Sequence, residues 1–213
     1  MEITSYRSLA AEGKSEAVIK KSRFLGYAAP IESEAQALAF IEDLHKAHPL
    51  SSAIAYGYMA GMRQNIQRFS DSGEPSGTAG MPILDVFKQK ELTNVVCAVV
   101  RYYGGIQLGA GGLTRAFSGT AAQAIAQAGI AVWQLSYKIG LHLDYGIWGS
   151  AENYLQHSPF RVLHTDFGQD VYLEVLLRAQ EEALFTAKMR DMTSGGAQPH
   201  RLDTLYWPWD ILE

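Results

Sequence analysis

With 213 residues and 47% apolar content, the chain has room for one large or two small packed domains, and this composition excludes a disordered polymer. A single cysteine, Cys97, excludes a disulfide framework or a multi-cysteine zinc site within one chain, and no run of eighteen apolar residues offers a membrane-crossing helix. The net charge of −4 excludes a protein that coats nucleic acid by bulk electrostatics; yet residues 1–137 carry 12 Lys+Arg against 11 Asp+Glu (+1) and residues 138–213 carry 6 against 11 (−5), so only the first part suits phosphate.

Taken in order, Glu16 to Ile19 and Arg23 to Tyr27 alternate as a strand pair around a basic Lys20-Lys21-Ser22-Arg23 turn. Ser33 with Gln36 forms a capping box, and Ala37, Phe40, Ile41, Leu44 and His48 share the face of a helix that Pro49 stops. Ser52 to Met59 and Asn65 to Phe69 read as strands about a Gly61 turn, and Met81 to Lys90 as a short helix with Pro82 in its first turn. Val95 to Val100 is an apolar run of strand length, hence a buried strand that ends at Arg101, Tyr102 and Tyr103. Leu113, Ala116, Phe117, Ala121, Ala124, Ile125 and Ala128 then mark an amphipathic helix.

After Ile130 the pattern changes. Tyr137 to Leu143 alternates as a strand, and Ile147, Trp148, Ala151, Tyr154 and Leu155 form a helical face. Arg161 to Thr165 and Val171 to Leu177 make a hairpin around Asp166-Phe167-Gly168. A helix from about Glu181 to Met192 ends near Gly195-Gly196, and Gln198 to Trp207 supplies the last strand. This β-α-β-β-α-β order is the ferredoxin-like arrangement. The expected architecture is therefore α+β with two domains, 1–133 and 134–213.

Two glycine-rich polar loops concentrate the chemistry: SDSGEPSGTAG at 70–80 and RYYGGIQLGAGG at 101–112. Glycine loses more backbone freedom on ordering than any other residue and gives no packing surface, so its density here points to a backbone shaped for close approach. The second loop runs into a helix, whose first N–H groups lack intrahelical partners and attract anions. Arg101 and Arg115 bracket the loop, and guanidinium suits phosphate or carboxylate. Gly104, Gly105, Gly111 and Gly112 line it, and Lys20, Lys21 and Arg23 extend a basic footprint.

The string fits neither the Walker A loop nor the dinucleotide fingerprint. In the first loop Asp71, Ser72, Glu74, Ser76 and Thr78 offer donors and acceptors; the carboxylates would hold Arg101 or Arg115, or coordinate a hard cation such as magnesium. Two carboxylates make a sparse metal set, so no metal or cofactor is predicted. Tyr102 and Tyr103 are either core or base-stacking groups. His45 and His48 read as a surface pair, and Cys97 as a small core residue.

Those loops carry a resemblance. Phe69 to Gly80 and Val99 to Ala116 closely resemble the signature of the YigZ/IMPACT family, and Lys20-Lys21-Ser22-Arg23-Phe24 resembles its N-terminal start. The resemblance implies a first domain similar to elongation factor G domain IV and a ferredoxin-like second domain similar to that factor's domain V. It also implies a cytoplasmic role in translation. Eukaryotic IMPACT acts through protein partners of a stress kinase by an extra N-terminal domain with no counterpart in these 213 residues, so that role does not carry over. The family offers the short bacterial type no secure activity, and peptidase labels on some members find no supporting residues here. Relatives usually read Ala-Thr-His-Asn-Cys where this chain has Ser51-Ser52-Ala53-Ile54-Ala55, so a mechanism needing that histidine and cysteine fails. Ser72 replaces a common second aspartate, and Phe117 a common tyrosine.

The expected function is a translation-associated module that binds RNA or a ribosomal surface. Two alternatives stay open: an enzyme for a small phosphorylated or anionic substrate, with Asp71 or Glu74 as base and Arg101 as oxyanion clamp, and a protein-interaction module using the acidic second domain.

Overall fold

The computed structural model describes residues 3–212. The chain forms two compact units, one from the residues up to Ser5 with Gln134–Trp207, the other from Tyr6–Trp133 with the residues from Pro208 onward.

In the second of these, strands β2 (Gly13–Ile19), β3 (Ser22–Pro30), β4 (Ala53–Ala60), β5 (Ile66–Ser70) and β6 (Val95–Tyr102) build an antiparallel sheet in the order β2-β3-β6-β4-β5. The apolar run lands at the centre: every β6 residue before Tyr102 is buried. Alternation then sorts its side chains between two faces. Cys97 and Val99 join Phe24, Phe87 and Phe117 beneath helices α2 (Gly80–Gln89) and α3 (Ala110–Ala128). Ala98 and Val100 pack with Leu44 of helix α1 (Glu34–Ala47) on the other face.

Two differences from the sequence reading matter for the site. Ile19 pairs Ser22, so the hairpin turn is only Lys20 and Lys21, with φ of 46° and 65°. Both lysines thus adopt the left-handed conformation of a two-residue turn matched to strand twist, and the second strand starts at Ser22, one residue before the predicted Arg23. The α1 cap also differs: Ser33 Oγ accepts from Gln36 N, but Gln36 Oε1 accepts from Glu32 N rather than closing on Ser33.

Helix α3 lies directly on β2 and β3. A Cβ at Gly13 would sit 2.1 Å from the Ala124 carbonyl oxygen. Only glycine permits that approach, which seats the C-terminal end of α3 on β2.

The other unit has the expected ferredoxin-like order. Strands β7 (Ile130–Leu143), β8 (Arg161–Phe167), β9 (Val171–Arg178) and β10 (His200–Leu212) lie in the order β10-β7-β9-β8, with helices α4 (Tyr145–Gln156) and α5 (Glu182–Met192) as crossovers. Ile139, Leu141, Leu173 and Val175 pack on Leu155 and Phe185. β7 begins at Ile130, earlier than the predicted Tyr137, and β1 (Ser5–Leu9), absent from the prediction, pairs with it. The predicted Asp166-Phe167-Gly168 turn falls later, because β8 continues through Phe167. No described helix is long and apolar enough to cross a membrane.

Candidate anion-binding cleft

Asp71 organises the first polar loop. Its carboxylate accepts from the N–H of Gly77 at 2.8 Å, Ala79 at 3.0 Å and Gly80 at 2.8 Å, which also ties down the start of α2. Burial raises the Asp71 carboxyl, but the three N–H groups outweigh it and hold it below the ordinary aspartate range. Ser72 Oγ accepts from Ile54 N at 3.1 Å, and Thr78 Oγ1 donates to the Pro75 carbonyl at 2.6 Å. Ser76 is exposed. Most of this loop's polarity is therefore spent on its own shape.

Glu74 is the exception. Both its oxygens accept from Arg101 Nη1, at 2.7 and 2.8 Å, and each side chain of the pair is only 8% exposed. The alternatives left by the sequence resolve in favour of Glu74 holding Arg101. The guanidinium lies 5.5 Å from the Phe24 ring centroid and 5.1 Å from that of Tyr103. Its Nη2 reaches Ser22 Oγ at 3.5 Å, and its buried Nε has no hydrogen-bond partner. With Asp71 and Glu74 both engaged, neither carboxylate is a free base.

The second loop packs against the hairpin tip. Gly104 N donates to Ser22 Oγ at 3.1 Å, and a Cβ on Gly104 would lie 2.1 Å from the Lys21 carbonyl carbon. This close approach brings exposed Lys20 and Lys21 beside the Gly104-Gly105 segment. The chain then enters α3 through Gly109, whose φ of 74° places it in the left-handed region. Gly109 makes no side-chain cap, and at this end Leu113 N donates to Gly109 O at 3.0 Å. The N–H groups of Ala110, Gly111 and Gly112 thus begin the helix without intrahelical acceptors. Arg115 is exposed, with Nη1 3.8 Å from the ideal Cβ position of Gly111, and has no ion-pair partner among the described residues.

Glu74 and Pro75 of the first loop, Arg101, and the second loop from Tyr103 into the first turn of α3 line an open cleft of about 520 Å³. Glu74, Arg101 and Gln107 supply its polar groups, while Pro75, Tyr103, Leu108 and Leu113 make its walls largely apolar. No group of three His, Cys, Asp or Glu side chains among the described residues is placed to hold a metal.

Arg23 does not join this cleft. On β3 it points to the α1 side, and Glu16 takes its Nε at 2.6 Å and its Nη2 at 3.1 Å. Beside it lies a cluster for which the sequence reading had no signal. His48 Nε2 is 2.9 Å from Tyr27 Oη, and its Nδ1 is 2.9 Å from Tyr102 Oη. His48 therefore bridges two strands instead of pairing with His45 at the surface. Burial lowers its pKa, and the Arg23 charge lowers it further. Tyr102, the last residue of β6, belongs to this cluster, and of the two adjacent tyrosines only Tyr103 lines the cleft.

Residues 20–125 match the Impact N-terminal domain, and residues 141–195 match a domain of unknown function designated DUF1949. The chain is 34% identical over 191 residues to the IMPACT family member YvyE of Bacillus subtilis, covering 90% of this chain and 88% of that protein. The chain belongs to the IMPACT family. IMPACT family member YigZ of Escherichia coli is 35% identical over 182 residues, 84% of this chain and 89% of its own. A Thermus thermophilus IMPACT family member is 48% identical over 111 residues, 52% of this chain and 59% of its own. A crystal structure titled only as that of a hypothetical protein superposes with a TM-score of 0.62 at 32% identity, covering 95% of this chain and 99% of the other.

Within the IMPACT fold, the positions where the resemblance implies histidine and cysteine are Ala53 and Ala55, both buried. Ala53 pairs in register with Arg101, so the exchange falls beside the cleft. Phe117, where the pattern has tyrosine, is fully buried edge-on to Phe24 at 5.3 Å.

Proposed function

We propose that this IMPACT-family protein is a cytoplasmic regulator of translation that binds RNA or a ribosomal surface through the cleft at the start of α3. Family membership fits a translation-related regulatory role. The observation that carries the reading is the uncapped α3 N-terminus, opening on a cleft whose floor holds the buried Arg101 with an unpartnered Nε. Lys20 and Lys21, at the hairpin tip that packs on Gly104, and Arg115, beside Gly111, have no ion-pair partners among the described residues, and they supply the charge a phosphate backbone requires. Arg101 is neutralised by Glu74, so its part is to shape the floor.

Co-sedimentation with purified ribosomes, and retention of total cellular RNA, test the reading. The folded protein binds at low salt, and the Lys20→Ala/Lys21→Ala/Arg115→Ala variant loses most of that binding. Equal binding by this variant removes the cleft from the account. The small-substrate enzyme reading gains nothing from the geometry, since both candidate bases are already engaged.

A further inference from the structure

We infer that the cleft takes a single nucleotide unit, with its phosphate on the first turn of α3 and its base against the apolar wall formed by Tyr103, Leu108 and Pro75. The inference rests on the anion-site reading above and adds the class of ligand. A site that only gripped a phosphodiester backbone would need exposed cations and no apolar lining. This cleft has both a charged end and a wall of Pro75, Tyr103, Leu108 and Leu113, so it matches a ligand with an anionic end and a flat apolar body. Its volume of about 520 Å³ is within the range of small-molecule sites and far below what a duplex requires.

Charge favours one phosphate over several. The Arg101–Glu74 pair sums to zero, which leaves the α3 terminus, equivalent to roughly +0.5, and Arg115. A total of about +1.5 balances a monophosphate and falls well short of a triphosphate. Gly109 and Gly111 carry no side chain over the approach: a Cβ at Gly109 would meet nothing within 4 Å, and one at Gly111 would meet only Arg115 Nη1 at 3.8 Å.

Tyr103 is 49% exposed, and its ring lies 5.1 Å from the Arg101 guanidinium at the cleft, which leaves ring surface for a base to stack on. Gln107, also exposed at the cleft, brings an amide that can donate to or accept from a base edge. A nucleotide within single-stranded RNA and a free mononucleotide present this same chemistry.

Equilibrium titrations of the full chain with adenosine 5′-monophosphate, ribose 5-phosphate, a 5′-phosphorylated single-stranded RNA hexamer and a blunt RNA duplex test the inference. The monophosphate is expected to bind more tightly than ribose 5-phosphate, and Tyr103→Ala to weaken it by roughly 5- to 150-fold, the worth of one stacked base, while ribose 5-phosphate is unaffected. Tighter binding of the hexamer than of the mononucleotide identifies RNA as the source, and the reverse order a free nucleotide; both support the site. Tyr103→Phe retains binding, which separates loss of the ring from loss of the fold. Equal affinity for the monophosphate and ribose 5-phosphate, or no effect of Tyr103→Ala, overturns the nucleotide inference and leaves the anion site standing. Failure of every phosphate and RNA to bind removes both.

Discussion

Glu74→Ala is the perturbation whose size the structure defines best. Arg101 and Glu74 are each 8% exposed, and the carboxylate occupies Nη1 with both oxygens. Removing it strands a charge that already has one unpartnered nitrogen, Nε. Leaving one partner of a buried pair alone costs about 3–5 kcal/mol. For a chain of this length each kcal/mol lowers the melting temperature by about 2–4 °C, so a fall of roughly 6–20 °C is expected by calorimetry or circular dichroism. Because the pair is buried, the loss persists at high salt. Arg101→Ala costs a similar amount, with additional loss from its contact with the Phe24 and Tyr103 rings. The double variant, which buries no orphaned charge, is less destabilised than the sum of the two single variants by about 2 kcal/mol or more. Simple additivity, or a Glu74→Ala shift below about 2 °C, would refute the account of the cleft floor.

Asp71→Asn removes an ionised acceptor from three N–H groups and destabilises by about 1.5–3 kcal/mol at pH 7, read by urea denaturation. Because the folded carboxyl lies below its unfolded value, its contribution is present above the unfolded pKa and is lost as pH falls through the folded one; the variant's stability accordingly drops less in acid than the wild type's. Gly13→Ala drives a Cβ to within 2.1 Å of the Ala124 carbonyl and should cost about 1–3 kcal/mol, seen as a lower urea midpoint. His48 should titrate below 6.5 by NMR, because burial and Arg23 both disfavour its charged form; its stabilisation holds above the unfolded pKa and disappears as pH falls through the folded value. His48→Phe abolishes that pH dependence.

Much of this was legible in the chain because it is local. The run from Val95 to Val100 read as a buried strand for want of any polar residue, and it became the centre of its sheet. The β-α-β-β-α-β order of the second half followed from alternation and turn residues, and the strands assemble as expected. What escaped depended on partners far apart in sequence or on single-residue register. Arg23 was read into one basic footprint with Lys20 and Lys21, but strand alternation turns it to the face opposite Phe24, where Glu16 takes it. Glu74 and Arg101 are 27 residues apart, and only the folded geometry distinguishes Arg101 from Arg115 as its partner. His48 meets Tyr102 across 54 residues, with no local pattern to announce it. β1 was missed because Ser5–Leu9 is short and acquires strand character from its pairing with β7.

The central claim is that the start of α3 and its surrounding cations receive phosphate. Its most direct test is the salt dependence of binding to single-stranded RNA, measured across a potassium series for the wild type and the Lys20→Ala/Lys21→Ala/Arg115→Ala variant. Each cation that neutralises a single-strand phosphate contributes about 0.7 to the slope of log K against log salt, so the account predicts a slope shallower by roughly 2 in the variant, with weaker binding at every salt concentration. An unchanged slope and affinity in a variant that folds normally would contradict it.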